Sequence, residues 1–424
     1  MKTFAKQFIA AILGWQIRRL RARHNFKVVA VAGSVGKTST KLAIASVLAK
    51  SRPVRYQFGN YNDIVSVPLI FFGEQLPNIF NPLAWLAIFA KNEIKIRRRY
   101  PYEIVVIEVG TDGPGQIEQF KKYLHIDIGV ITAITPEHMQ FFADMTAVAQ
   151  EELALAGFAG QLLINADLTD GKYLKQVPKA VTYGVNQPAD YRLNSVSFKG
   201  DSASFSILRQ GRPLLHSSHQ KISEPQLYSV LAAAAVADEL GANAGSIDEG
   251  IRNIPPVSGR MQFLEGLNDS TIIDDTYNAS PEAMRAALDS LYRMDASQKI
   301  AILGNMNELG HFSVPEHRAV GEYCDPGKLD LVITIGPEAN KYLASAAGGK
   351  GCEVKTFTDP YSAGQFVKTK LKPGTLVLAK GSQNKVFAEE AVKLLLKDPA
   401  DAAKLVRQSP SWLKTKRRAF SVKI

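Results

Sequence analysis

Seven residues, Gly33-Ser34-Val35-Gly36-Lys37-Thr38-Ser39, carry the most legible chemistry in this chain. They follow an apolar run, Val28 to Ala32, and open a helical pattern that continues to Lys50. A loop in that setting aims backbone N–H groups at phosphate oxygens, and the helix N-terminus behind it favours negative charge. Lys37 then supplies a point charge for the outer phosphates of a nucleotide, and Thr38 a hydroxyl for Mg²⁺. The strict pattern G-x-x-x-x-G-K-[ST] asks for glycine at position 31. Val31 stands there, so the match is to the shorter form G-x-x-G-K-[ST]. Glu108 and His138 each fall just past an apolar run, at the strand ends where open α/β sheets bind ligands. A carboxylate and an imidazole beside a phosphate loop suit a divalent cation or its waters. Asp274 and Asp275 close an apolar run in the second half of the chain.

These residues need a scaffold of parallel strands. Short apolar runs at 28–32, 104–107 and 128–131 alternate with helical stretches, which predicts a mostly parallel sheet covered on both faces. Residues 191–216 alternate like antiparallel strands, and Leu227 to Leu240 reads as an Ala-rich helix. The Pro255-Pro256 and Ser258-Gly259 breaks mark a boundary near 256. Runs at 271–273, 300–303, 331–334 and 376–378 then predict a second Rossmann-like unit. The fold class expected is α/β, a P-loop ATPase domain followed by a Rossmann-like domain. Its divisions are a basic amphipathic helix (1–26), the ATP-binding domain (27–255), the second domain (256–396) and a basic tail (397–424).

Composition agrees with a folded chain. Of 424 residues, 46% are hydrophobic and 21% charged, which argues against disorder or a fibre. No apolar run reaches the ~18 residues needed to span a bilayer. Two cysteines, Cys324 and Cys352, exclude a disulfide framework and a Cys-based zinc site. The net charge of +11 sits at the ends: residues 1–27 and 397–424 together carry +13, and the body −2. Phe4, Phe8, Ile12 and Trp15 recur at helical spacing, so the first helix either lies on an anionic membrane or packs these aromatics on the next domain. The apolar stretches 68–72 and 83–89 read as an inserted core helix or as a membrane- or partner-facing patch. Nucleic acid is not expected, since no motif accompanies the basic ends.

Together with the motifs downstream of it, the shortened loop resembles the Mur ligases, ATP-dependent amide-bond-forming enzymes of peptidoglycan synthesis. The resemblance recurs in order over about 27–395. It runs through the Asn-rich loop Gly59 to Pro68, Glu108-Val109-Gly110-Thr111-Asp112, Thr132 through Glu137-His138, and Asn165-Ala166-Asp167. It continues through Asp274-Asp275-Thr276-Tyr277-Asn278-Ala279-Ser280-Pro281, Gly304 to Gly310 with Ser313 and His317, and Lys380-Gly381-Ser382. It implies ATP and Mg²⁺ as cofactors and an acyl-phosphate intermediate. It also implies a dipeptide amine, D-alanyl-D-alanine, added to a muramoyl-peptide carboxylate, in the cytoplasm or at the inner face of the membrane. By resemblance, residues 33–39 with Asp275, Tyr277 and Asn278 bind the nucleotide, and Thr38, Glu108, His138 and Glu152 hold metal. Lys37, His138, Glu152 and Arg260 serve catalysis, Arg260 as a linker cation near the γ-phosphate.

Four departures stand out. The family's N-terminal uridine-nucleotide domain is expected to be missing, replaced by one basic helix. Glu152 stands where the family carries a carbamylated lysine, and as a carboxylate it needs no CO₂. Pro225 and Ser229 replace a His and an Asn, which weakens the expected adenine contacts. Gln383 replaces an Arg. They leave open two alternatives, a ligase taking a lipid-linked or other carboxylate and a non-catalytic nucleotide-binding relative.

Overall fold

The computed structural model of the chain describes residues 2–59, 61–137 and 139–420. Its first sheet has nine strands in the order β2-β3-β1-β4-β5-β6-β7-β8-β9. These are β1 (Lys27–Ala32), β2 (Val54–Arg55), β3 (Ile104–Glu108), β4 (Ile126–Ile131), β5 (Ala159–Asn165), β6 (Val181–Gly184), β7 (Tyr191–Lys199), β8 (Ser202–Arg209) and β9 (Arg212–His219). Pairing is parallel from β2 to β7 and antiparallel from β7 to β9. The central strands are apolar throughout because helices cover both faces. Val29 and Val31 face a core shared with α2 (Lys37–Leu48) and the later helix Glu224–Glu239. Val28, Ala30 and Ala32 face the opposite core, with α1 (Lys2–Arg23), α3 (Ser66–Phe72) and α4 (Pro82–Arg97). Helices α5 (Met145–Leu153) and α6 (Gly171–Leu174) join this second layer, whereas α7 (Glu224–Glu239) and α8 (Ala244–Arg252) cover the first face with α2.

The second sheet has six strands in the order β10-β11-β15-β12-β13-β14. They are β10 (Gln262–Glu265), β11 (Thr271–Asp275), β12 (Gln298–Gly304), β13 (Leu331–Ile335), β14 (Val354–Phe357) and β15 (Thr375–Lys380). Only β10 runs antiparallel to its neighbour. The covering helices are α9 (Pro281–Arg293), α10 (Ser313–Tyr323), α11 (Ala344–Gly349), α12 (Pro360–Lys368), α13 (Glu389–Lys393) and α14 (Pro410–Phe420). The order of strands in this sheet brings the ends of β11 and β15 side by side, and these carry Asp275 and Lys380.

The two ends of the chain differ from their sequence expectation. Helix α1 does pack on the ATPase-like domain, but not through Phe4, Phe8 and Trp15. Ile9, Leu13, Ile17 and Leu20 are the buried side chains, while those three aromatics are exposed. The helix has two apolar faces, and the domain takes the aliphatic one, whose shorter side chains allow close approach to α3 and α4. The stretch 397–420 is no solvated tail. Helix α14 docks on the second domain, with the Trp412 and Phe420 rings against Phe387. The ammonium of Lys416 is fully buried between Glu389 (2.7 Å) and Glu390 (2.6 Å). Of the two apolar stretches between strands, α3 is wholly buried. Helix α4 buries Trp85, Ile88, Asn92 and Ile96 and leaves Leu83, Leu86 and Ile94 exposed.

Candidate active site

The phosphate loop is built by two glycines and a clamp. Gly33 has φ +121°, and a Cβ there would lie 2.3 Å from Thr132 Oγ1 and 2.8 Å from backbone nitrogens, so only glycine fits. Gly36, at φ +83°, turns the chain into α2. Strand β4 holds the loop from the side: Ser34 N donates to Ala133 O (2.9 Å) and Thr132 Oγ1 to Val35 O (2.6 Å). Lys37 Nζ donates to Gly33 O (2.5 Å) and Ser34 O (3.2 Å) and pairs with Glu137 Oε2 (3.3 Å). Burial alone would lower its pKa, but Glu137, Glu152 and Glu108 together hold it above the ordinary lysine value. Lys37 therefore stays charged.

Glu108 ends β3 beside the loop and is buried. Thr38 Oγ1 donates to its Oε2 (3.0 Å), and the Lys41 ammonium sits 3.1 Å from the same oxygen. Lys41, fully buried, escaped the reading of the sequence. Its signal was available: it follows Lys37 by one helical turn on the same face of α2, the last cation before the largely apolar run from Leu42 to Leu48.

Glu152 lies beneath the loop rather than in front of it. It is buried in α5, and its Oε2 accepts the Gly33 N–H at 2.7 Å. Desolvation pushes its pKa up to about 7, against the pull of Lys37. The neighbouring Glu151 accepts the Gly115 and Ile117 N–H groups (2.5 and 2.6 Å), tying down the loop after β3. His138 lies outside the described residues, as does Asn60 of the Asn-rich loop.

The second domain supplies the opposite wall. Lys380 Nζ pairs with Asp275 Oδ2 at 2.5 Å and donates to Asn278 O at 3.0 Å. Asp274 turns inward, accepts Gly259 N (3.1 Å) and Thr276 Oγ1 (2.5 Å), and is pushed by burial to a pKa of about 6. The Arg260 guanidinium lies over the Tyr277 ring, 4.0 Å from its centroid, and its Nε is buried without a hydrogen bond among the described residues. His317 belongs to the scaffold. Its Nε2 accepts Met306 N–H (3.0 Å), its Nδ1 donates to Ser313 O (2.8 Å), and burial lowers its pKa, so it is a neutral brace under the 304–310 loop.

The two walls enclose a cavity of about 440 Å³. Ser34 to Ser39, Glu108, Glu137, Arg260, Asp275, Tyr277, Asn278, Lys380 and Gln383 all line it, as do Pro225 and Ser229. Ser229 Oγ is 3.0 Å from Thr40 Oγ1. Glu152 is not among the lining residues. The domains touch around the rim through the Arg293–Glu224 ion pair, Gln226 Nε2 to Arg260 O (3.2 Å) and Gln140 N to Glu308 O (3.3 Å). Among the described residues no group of three or more His, Cys, Asp or Glu side chains forms a metal cluster.

The two domains that face each other across this cavity each match a known family domain. Residues 31–237 match the Mur ligase middle domain, and residues 259–383 match the Mur ligase glutamate ligase domain. The chain belongs to the Mur ligase family. It is similar to the UDP-N-acetylmuramoyl-tripeptide–D-alanyl-D-alanine ligase of Haemophilus influenzae, at 28% identity over 88% of this chain and 77% of that protein. The enzyme of the same name from Escherichia coli is 24% identical, over 91% of this chain and 79% of its own. Among solved structures, the MurF ligase of Thermotoga maritima in complex with ADP shares the fold. Its TM-score is 0.74 at 23% identity, covering 91% of this chain and 83% of that one. In this Mur ligase the loop, the Thr38–Glu108 pair and the Asp275–Lys380 pair line one cavity.

Proposed function

We propose that this Mur ligase is an ATP-dependent peptide ligase of peptidoglycan precursor synthesis, joining a D-alanyl-D-alanine amine to a muramoyl-tripeptide carboxylate. One observation carries the reading: Lys37, Thr38 and Glu108 on one wall and Arg260, Asp275 and Lys380 on the other face a single cavity. The substrates are those that the relatives' names state.

The carboxylate oxygen attacks the γ-phosphorus of ATP, the bond to the bridging oxygen breaks, and ADP leaves with that electron pair. The amine then attacks the acyl carbon, a tetrahedral intermediate forms, and its collapse expels phosphate and leaves the amide. The charge that builds on the transferring phosphoryl group is met by the protonated Lys37 from the loop and by Arg260 from the linker. Stacking on Tyr277 fixes the Arg260 plane, and its unpartnered Nε–H leaves a donor for an anion. Thr38 and Glu108 offer hard oxygen donors within hydrogen-bond distance of each other, which fits Mg²⁺. Bound there, the ion would neutralise and orient the phosphates. Glu152 positions the loop by holding Gly33 N–H from below. The second domain shields the acyl phosphate from water, as the contacts around the cavity rim allow.

The test is phosphate release with UDP-N-acetylmuramoyl-tripeptide and D-alanyl-D-alanine, separately and together, with mass analysis of the product. Release that needs both substrates, and a product heavier by the dipeptide less one water, is expected. Release without an amide product would refute the ligase reading.

A further inference from the structure

Helices α1 and α4 lie side by side and run in the same direction. Ile9 and Leu13 share a core with Trp85 and Ile88. Gln16 Nε2 then reaches Phe89 O and Glu93, Arg19 pairs with Glu93, and His24 meets Ile96 O. Sequence number therefore rises together along both helices. Their inward faces pack on α3 and the first sheet, so their opposite faces look outward as one surface. On α1 this face carries Phe4 (76% exposed), Phe8 (60%) and Trp15 (48%). On α4 it carries Leu83 (76%), Leu86 (62%) and Ile94 (51%). Six large apolar side chains on two adjacent helices exceed the scattered exposure that soluble surfaces tolerate.

Charge identifies the occupant. The acids of this layer are already engaged: Asp63 by Lys6 (3.2 Å), Glu93 by Arg19 (2.6 Å) and Glu74 by Lys95 (2.5 Å). Arg23, Lys91, Arg98 and Arg99, around the C-terminal half of the two helices, are exposed. The surface is thus an apolar stripe bordered by cations. A second copy of this chain would bring the same cations and no acidic rim to match them. An anionic lipid surface matches both parts, apolar side chains entering at the headgroup boundary and cations meeting phosphates. No described helix is long and apolar enough to cross a membrane, so the contact is interfacial.

We infer that the α1–α4 surface docks this ligase on anionic bilayers, with Phe4, Phe8, Trp15, Leu83, Leu86 and Ile94 at the lipid boundary. The site is on the opposite side of the first sheet from α7, so docking leaves the ligase cavity open, and it does not depend on which substrates that cavity takes.

The full chain is tested by co-sedimentation with vesicles of phosphatidylcholine alone or with about one third phosphatidylglycerol, at low and high salt. Binding at least tenfold stronger to the anionic vesicles, and weakened by salt, is expected. Phe8→Ser/Leu86→Ser, both at exposed positions, is expected to lose at least tenfold while keeping its melting temperature and its nucleotide turnover. Arg98→Glu/Arg99→Glu is expected to lose the preference for anionic lipid. Trp15 emission should shift to the blue with vesicles, and Trp15→Phe should remove that shift. The inference is overturned if the wild type stays in the supernatant, or if it binds and the apolar double variant binds equally. It is also overturned if light scattering shows a dimer that the apolar variant dissolves, since the stripe is then covered by a second copy.

Discussion

Replacing Lys416 with methionine removes one ammonium from a site without solvent. In the folded chain that ammonium lies 2.7 Å from Glu389 and 2.6 Å from Glu390, with no exposed surface. The two carboxylates are not equally dependent on it. Glu389 keeps a second cation, Arg407, at 2.7 Å. Among the described residues, Glu390 keeps the Gln408 amide at 3.2 Å and no second cation within ion-pair distance. Removing one member of a buried ion pair costs about 3–5 kcal/mol, because the partner is left charged and desolvated. The retained Arg407 places this case at the lower end, about 3 kcal/mol. For a domain of this size, each kcal/mol moves the transition by about 2–4 °C, which gives a fall of roughly 6–12 °C. Scanning calorimetry of the full chain at pH 7 reads it directly. Lys416→Met/Glu390→Gln should recover part of the loss, since it also removes the stranded charge. A shift under about 2 °C for Lys416→Met, with no recovery in the double variant, would refute the argument and return the segment to a solvated tail.

Lys37→Ala should abolish phosphate release at saturating ATP while leaving the melting temperature within a few degrees, because the lost charge faces the cavity; wild-type turnover would overturn its role. Ligase activity should be unchanged when CO₂ is depleted, since the position of the family's carbamylated lysine holds Glu152, a side chain with no amine to carbamylate, and a rate restored by bicarbonate would show that a carbamylated lysine acts elsewhere. Glu152 has a folded pKa of about 7 against an ordinary 4.5, so the folded state holds its proton more tightly. Its stability contribution is full below pH 4.5 and is lost as pH rises through 7, by at most about 3 kcal/mol. Glu152→Gln should therefore flatten the fall in melting temperature between pH 5 and 8, and an unchanged slope would show that the carboxyl titrates normally. Gly33→Ala should lose nucleotide binding and destabilise the first domain, because a methyl cannot share the space of Thr132 Oγ1; binding of ADP by the variant, measured calorimetrically, would count against the steric argument.

Local pattern was enough for the strands at 28–32, 104–107 and 128–131, for the Ala-rich helix, and for the four strands of the second domain. Each is an apolar run or period flanked by polar or turn-forming residues, so its own residues fix its geometry. The phosphate loop was equally local, since Gly33 and Gly36 are required by backbone angles that few other residues adopt. What only the tertiary structure decided are the pairings across distance. The sequence marks α1 as amphipathic, but which of its two apolar faces is buried depends on the shape of α3 and α4, so Ile9 and Leu13 go inward and Phe8 outward. Lys416 reads as one of many tail cations until α13 brings Glu389 and Glu390 to it. Glu152 reads as a metal carboxylate in the chain, and the fold turns it to Gly33 N–H below the loop instead. Lys41 and Glu108 are 67 positions apart, and only the parallel pairing of β1 with β3 sets them in contact. Charge shows no periodicity that announces its partner, whereas apolar residues announce a face by repetition. For that reason the elements could be read from the sequence, while the ion pairs and the exposed stripe emerged only once the elements were packed.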